Sequence, residues 1–293
     1  MGICNRTPDS FFDQGDHFEF DRFLARVDAI VTEGADVIDV GGVKAGPGPE
    51  VTESEELERV VPAIAEIRKR FDVCVSIDTW RASVAREAFA AGAVLGNDIS
   101  GFADAEYLSE AARAGASVVA THIRLQPRVP DPTPEYGDLV GEVETFLLDR
   151  AGRAEAAGIP PSGVILDAGL DLGKTPSQSL ELLRASDRLA GLGYPLLLSA
   201  SNKRFLGDTL GLGITERADV SLAAAALGVA RGCRILRVHD VAATVKVRDV
   251  LEAILIAGTP EQAEAMPEAA AAEAAAMPEA EAAEAATDRG RER

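Results

Sequence analysis

Short apolar runs alternate with longer amphipathic stretches along most of the chain. The apolar runs fall at residues 2–5, 37–40, 73–78, 94–99, 118–122, 164–167, 196–200 and 235–239. Between them, apolar residues recur at helical spacing, as in Phe23, Leu24, Val27, Ile30 and Val31, which predicts a helix over 21–33. Further helices are predicted from a Thr52/Glu55 capping box to Phe71, over 82–91 and 105–114, up to residue 157, and over 177–189, 216–230 and 245–257. The pattern therefore reads as eight strand-then-helix units between residues 1 and 258. Continuously apolar strands suit a parallel sheet covered on both faces. Eight units in roughly 250 residues is the size of a (β/α)8 TIM barrel. A doubly wound open sheet is the competing architecture, but no GxGxxG follows any strand.

Two stretches break the alternation. Residues 7–10, Thr-Pro-Asp-Ser, are turn chemistry, and the segment that follows carries Phe11, Phe12, Phe18 and Phe20. A loop so long and apolar after a strand end predicts a lid or binding loop. At the other end, residues 265–275 are followed by a near-copy at 276–286, a tandem repeat of eleven rich in Ala, Glu and Pro. It lacks large apolar residues, so residues 259–293 are expected to be a disordered or transiently helical tail beyond a 1–258 barrel.

Composition narrows the function. With 47% hydrophobic residues the chain can build a real core, and a net charge of −19 argues against nucleic acid or an anionic membrane as partner. An anionic substrate would then need a local cationic site or a metal. The three cysteines, Cys4, Cys74 and Cys233, lie in apolar runs without a CxxC pair, which predicts buried reduced thiols in a cytoplasmic protein. No export signal or membrane-length apolar run is recognised.

In a barrel, chemistry belongs at the C-terminal ends of the strands. Those ends carry Asn5, Asp39, Asp78, Asn97 with Asp98, His122, Asp167, and Arg237 with His239. Each by itself could be a hydrogen-bonded strand end. Together they predict a cluster of carboxylates, amides and cations around one mouth. Arg237 and His239 are two apart and share a side, which suits a bound phosphate or diphosphate, or else a salt bridge to an aspartate. Residues 168–175, AGLDLGKT, nearly match a phosphate-binding loop, but Ala168 stands where the first glycine is needed, so a nucleotide loop is rejected. There is no HExxH and there are three histidines in all, which speaks against zinc. Magnesium held together with substrate phosphate oxygens stays open.

The opening MGICNRTPDSFFDQG resembles the signature of the dihydropteroate synthases, usually close to MGILNVTPDSFSDGG. The similarity recurs at residues 76–79 (SIDT), 96–101 (GNDISG), 165–169 (ILDAG), 173–175 (GKT), 201–205 (SNKRF) and 237–241 (RVHDV). The resemblance implies a (β/α)8 barrel, usually a homodimer. The implied reaction joins 6-hydroxymethyl-7,8-dihydropterin diphosphate to p-aminobenzoate and releases diphosphate, in folate biosynthesis. By position it implies that Asp78, Asn97, Asp167 and Lys203 hold the pterin. It implies that Asn5, Arg237 and His239 hold the diphosphate with Mg2+, Asn5 being the metal ligand. Lys203, Arg237 and His239 would be catalytic, and Asp13 would belong to the lid.

Departures concentrate in loops. The family's loop threonine and arginine are Ala45 and Gly46 here, the arginine before Lys203 is Asn202, and the segment after His122 differs. Arg6 and Lys44, which belong with Asp13 to the expected lid loops, and Arg124 bring other cations nearby. An active synthase is the leading expectation, and a diverged paralogue that binds pterin or regulates without this activity is the alternative. A pterin-dependent methyltransferase on a related barrel fits the Thr-Pro-Asp-Ser-Phe and Arg-Val-His-Asp segments less well.

Overall fold

The structure is a computed structural model of the 293-residue chain, and it describes residues 1–7, 20–46 and 48–256. The predicted lid residue Asp13 and the 259–293 tail lie outside the described residues. Residues 1–251 form one compact unit.

Eight parallel strands follow one another in chain order: β1 (Gly2–Ile3), β2 (Val37–Gly41), β3 (Cys74–Asp78), β4 (Leu95–Asp98), β5 (Ser117–Thr121), β6 (Val164–Asp167), β7 (Leu196–Leu198) and β8 (Ile235–Leu236). The ladder closes on itself, because the Ile3 amide donates to Val238 O at 2.9 Å and the Val238 amide to Met1 O at 3.0 Å. The fold is a TIM barrel. Helices α1 (Phe20–Thr32), α2 (Glu53–Arg70), α3 (Ala82–Ala90), α4 (Tyr107–Ala114) and α5 (Leu139–Ala156) return the chain between strands. They are followed by α6 (Pro176–Arg184), α7 (Ser186–Ala190), α8 (Arg204–Leu210), α9 (Ala218–Ala230) and α10 (Val241–Ile256). The capping box predicted for α2 is present, with the Thr52 amide 2.8 Å from Glu55 Oε2.

Period two along the strands sorts the barrel interior into layers. Leu95, Val119, Ile165 and Leu197 form a small buried cluster against Met1, Val37 and Ile235, while the larger core lies between sheet and helices. Counting two residues on from these inner positions gives Asn97, Thr121, Asp167, Ser199, Ile3, Asp39 and Arg237. A greasy layer therefore sits beneath a polar one, and the polar layer is the barrel mouth.

Several expectations need correction. The helix predicted over 177–189 is two helices, broken at Ala185, where the backbone leaves helical angles and the Ser186 hydroxyl donates to Leu183 O at 2.8 Å. Helix α8 was not foreseen, since its seven residues are too short for periodicity to show. The strand predicted over 235–239 is regular only at 235–236, though Val238 still bridges to Gly2. Cys4 and Cys233 are buried as expected, but Cys74, at the entry to β3, is exposed.

Candidate active site

The mouth is built around Arg237. Its Nε lies 2.6 Å from Asp39 Oδ2 and its Nη2 2.6 Å from Asp78 Oδ2, and Asn97 Nδ2 donates to Asp39 Oδ2 at 3.1 Å. Strands β2, β3, β4 and the end of β8 thus meet through one guanidinium. Burial opposes the charge on Arg237, but Asp39 and Asp78 beside it outweigh that and raise its proton affinity further. Burial pushes Asp78 up to about 7, against the pull of Arg237. The salt-bridge reading of Arg237 holds. Its expected partner His239 turns its Nδ1 to the Ser201 hydroxyl at 3.0 Å.

The other half of the mouth comes from β6 and the loops beyond it. Asp167 accepts the Gly169 amide at 2.8 Å, and burial raises its pKa while Lys203 opposes that rise. Lys203 donates to Leu170 O at 2.6 Å; burial lowers its pKa, with Asp167 the chief counterweight, followed by Asp171, while Asp78 also acts on it. Asp78, Asn97, Asp167, Lys203 and Arg237 therefore gather at one end of the barrel. Gly169 turns the chain at φ 64°, and a Cβ there would come within 1.9 Å of His122 O, so only glycine fits.

Asn5 stands at the rim beside Gly41, where a Cβ would lie 2.6 Å from Asn5 Oδ1. That oxygen is buried without a hydrogen-bond partner, as are Asp39 Oδ1 and the hydroxyls of Ser76 and Thr121. A buried carbonyl oxygen left unpaired is costly, and a hard cation or a ligand donor would satisfy it.

Other expected residues lie elsewhere. Arg6 donates to Arg59 O at 2.7 Å, with its guanidinium 4.9 Å over the Phe20 ring. Lys44 is half-exposed in the loop after β2. Arg124 grips Asp131 of its own loop with bonds of 2.5 and 2.7 Å. Asp98 accepts the Ser100 and Phe102 amides at 2.6 and 3.0 Å and is a turn cap. His122 pairs with buried Lys174, its Nδ1 2.9 Å from Nζ. Among the described residues no three His, Cys, Asp or Glu side chains converge as a metal cluster.

Sequence reasoning missed Thr121, Ser199, Ser201 and Lys174. Counting by twos from the inner apolar residues would have found the first two. Beside the mouth a cavity of about 460 Å³ opens between the loops after β2, β5 and β6, lined by Ala45, Gly46, Leu172, Lys174 and Arg204 among others.

Comparison with known proteins agrees with this geometry. A family profile described as pterin binding enzyme matches residues 1–239. The inactive dihydropteroate synthase 2 of Mycobacterium leprae is 46% identical over 261 residues, covering 87% of this chain and 89% of that protein. The dihydropteroate synthase of Bacillus subtilis is 39% identical over 260 residues, covering 88% and 89%. The crystal structure of Yersinia pestis dihydropteroate synthase with a sulfonamide drug superposes with a TM-score of 0.85 at 38% identity, covering 88% of this chain and 94% of that one. On fold and sequence alike, the chain belongs to the family of pterin binding enzymes.

Proposed function

We propose that this barrel is a transferase of the dihydropteroate synthase type, condensing a 6-hydroxymethyl-7,8-dihydropterin diphosphate with p-aminobenzoate and releasing diphosphate. The gathering of Asp78, Asn97, Asp167, Lys203 and Arg237 at the barrel mouth carries the reading. An aminopterin edge presents adjacent N–H and NH2 donors, which a carboxylate accepts in a fork as it does a guanidinium. Asp167 is suited to that edge, while Asn97 and Lys203 offer donors to ring acceptors. Asp78, which holds Arg237, offers a second carboxylate to the pterin.

Arg237, His239 and Asn5 then face the diphosphate. Positive groups aimed at the leaving oxygens lower the barrier to attack by the arylamine nitrogen on the pterin methylene carbon. The unpaired Asn5 Oδ1 fits a Mg2+ completed by phosphate oxygens and water. When bound, that ion would neutralise charge building on the diphosphate. The neighbouring cavity is the natural seat for the arylamine, and a lid over the mouth would keep water from the activated carbon. Helix α9 is apolar or small along most of its length yet buries only Ala224, Ala225 and Gly228, which supports a homodimer packed on that face. No described helix is long and apolar enough to cross a membrane, and we place the protein in the cytoplasm with its substrates.

A second reading has its own support: a diverged paralogue that binds pterin, or regulates, without turnover. Gly46 and Asn202 stand where the resemblance expects arginines, Arg124 is neutralised by Asp131, and the inactive mycobacterial relative shares more identity than the Bacillus enzyme. One assay separates the two. Diphosphate release from the pterin diphosphate with Mg2+, dependent on p-aminobenzoate, supports the synthase. Calorimetric binding without release supports the paralogue, and no binding refutes both.

A further inference from the structure

We propose that Lys174 is a positioning residue, whose buried amine bolts the loop after β6 to the end of β5 and so fixes the carbonyl that holds Lys203. The inference rests on the pterin reading of the mouth. Lys174 Nζ lies 2.9 Å from His122 Nδ1, 2.9 Å from Gly169 O and 3.0 Å from Leu172 O. His122 O lies farther off at 3.4 Å, so the three near acceptors match the three donors of an ammonium group. Leu170 sits between the two anchored carbonyls, and its own carbonyl accepts Lys203 Nζ at 2.6 Å. Lys174 thus reaches the pterin pocket through one peptide segment.

That segment needs an external hold. Gly169, Asp171 and Gly173 adopt φ of 64°, 65° and 61°, so left-handed residues alternate and no repeating backbone ladder can form. Tyr136, from the loop after β5, adds a second tie by donating to Gly173 O at 2.7 Å. Burial and the adjacent Lys174 hold His122 neutral, with its pKa lowered to about 3. Its Nδ1 is then the acceptor for the ammonium, and Nε2 carries the ring proton. The ring itself is set by an edge contact with Phe146, centroids 4.8 Å apart. The charged groups facing the pair are Asp167, Asp171 and Lys203 toward Lys174, and Arg150 toward His122. A buried lysine amine is costly: burial lowers the Lys174 pKa to about 7 although Asp167 opposes the fall, and the near acceptors offset only part of that cost.

The test uses the full chain with Lys174→Met, His122→Leu and His122→Asn. Each is titrated by calorimetry with 6-hydroxymethylpterin and, separately, with inorganic diphosphate plus Mg2+. Amide exchange of residues 169–174 is followed in parallel. The first two variants should bind pterin roughly tenfold more weakly, diphosphate within about twofold of wild type, and exchange faster across 169–174. His122→Asn should resemble wild type, since its amide oxygen can take the place of Nδ1. Unchanged pterin affinity and exchange in Lys174→Met or His122→Leu overturns the proposal, as does an equal loss of both ligands. Should Lys174→Met fail to fold, the two His122 variants decide by the same criteria. If the wild type binds no pterin, the proposed function falls, and the exchange arm alone decides whether the bolt exists.

Discussion

Asp167 shows how much one side chain can hold in place. It accepts the Gly169 amide at 2.8 Å and faces Lys203. Asp167→Asn keeps an oxygen for that amide but puts an NH2 where the pterin fork needs an acceptor. Turnover and pterin affinity should fall by about 10- to 100-fold, the worth of a charge-assisted bond, with the melting temperature nearly unchanged. Unaltered affinity would remove Asp167 from the pterin site. Gly169→Ala tests the backbone beside it. The added methyl meets His122 O at 1.9 Å in a left-handed residue, so the denaturation midpoint should drop by the equivalent of about 2–3 kcal/mol or more. At this scale residue types at strand ends were legible, but partners were not. Arg6 read as a lid-loop cation, and only the structure names Arg59 O and Phe20 as its neighbours, because the side to which a loop residue turns depends on helices that pack beside it.

Among the elements, the joint between β2, β3 and β8 depends on Arg237. Residues 39 and 237 are far apart in the chain and meet because the ladder closes from β8 to β1. Replacing Arg237 with Met would leave Asp39 and Asp78 buried beside each other without a cation. Such a loss typically costs about 3–5 kcal/mol. It should be smaller at pH 5 than at pH 8, because the variant's carboxyls can then take up protons. Urea unfolding at the two pH values measures this, and equal losses would show that the carboxylates are not the source. The strand–helix alternation was readable because periods of two and 3.6 differ sharply. The break at Ala185 and the short α8 were not, since neither carries a proline or a long apolar face.

For the whole molecule, pH links stability and binding in opposite directions. The folded pKa of Asp78 is raised from 3.8 to about 7 by burial, so its contribution is fully present below about pH 4 and is lost as pH rises through 7. The proposed pterin contact needs the carboxylate and should weaken as pH falls below 7. Thermal unfolding of wild type and Asp78→Asn between pH 5 and 8 isolates the first effect. The wild type should lose stability relative to the variant as pH rises, while its pterin affinity increases. A stability gain with rising pH would contradict the raised pKa.

The sequence by itself determined the barrel and the kinds of group at its mouth. Those features follow from local periodicity and from the rule that strand ends carry the chemistry, and motif order pointed to the pterin binding enzymes. Only the tertiary structure decided which groups satisfy one another: Arg237 with Asp39 and Asp78, Lys174 with His122, Arg124 with Asp131. Such pairings arise from burial and short-range geometry between segments distant in the chain. A one-dimensional pattern names the charges there but not the distances between them.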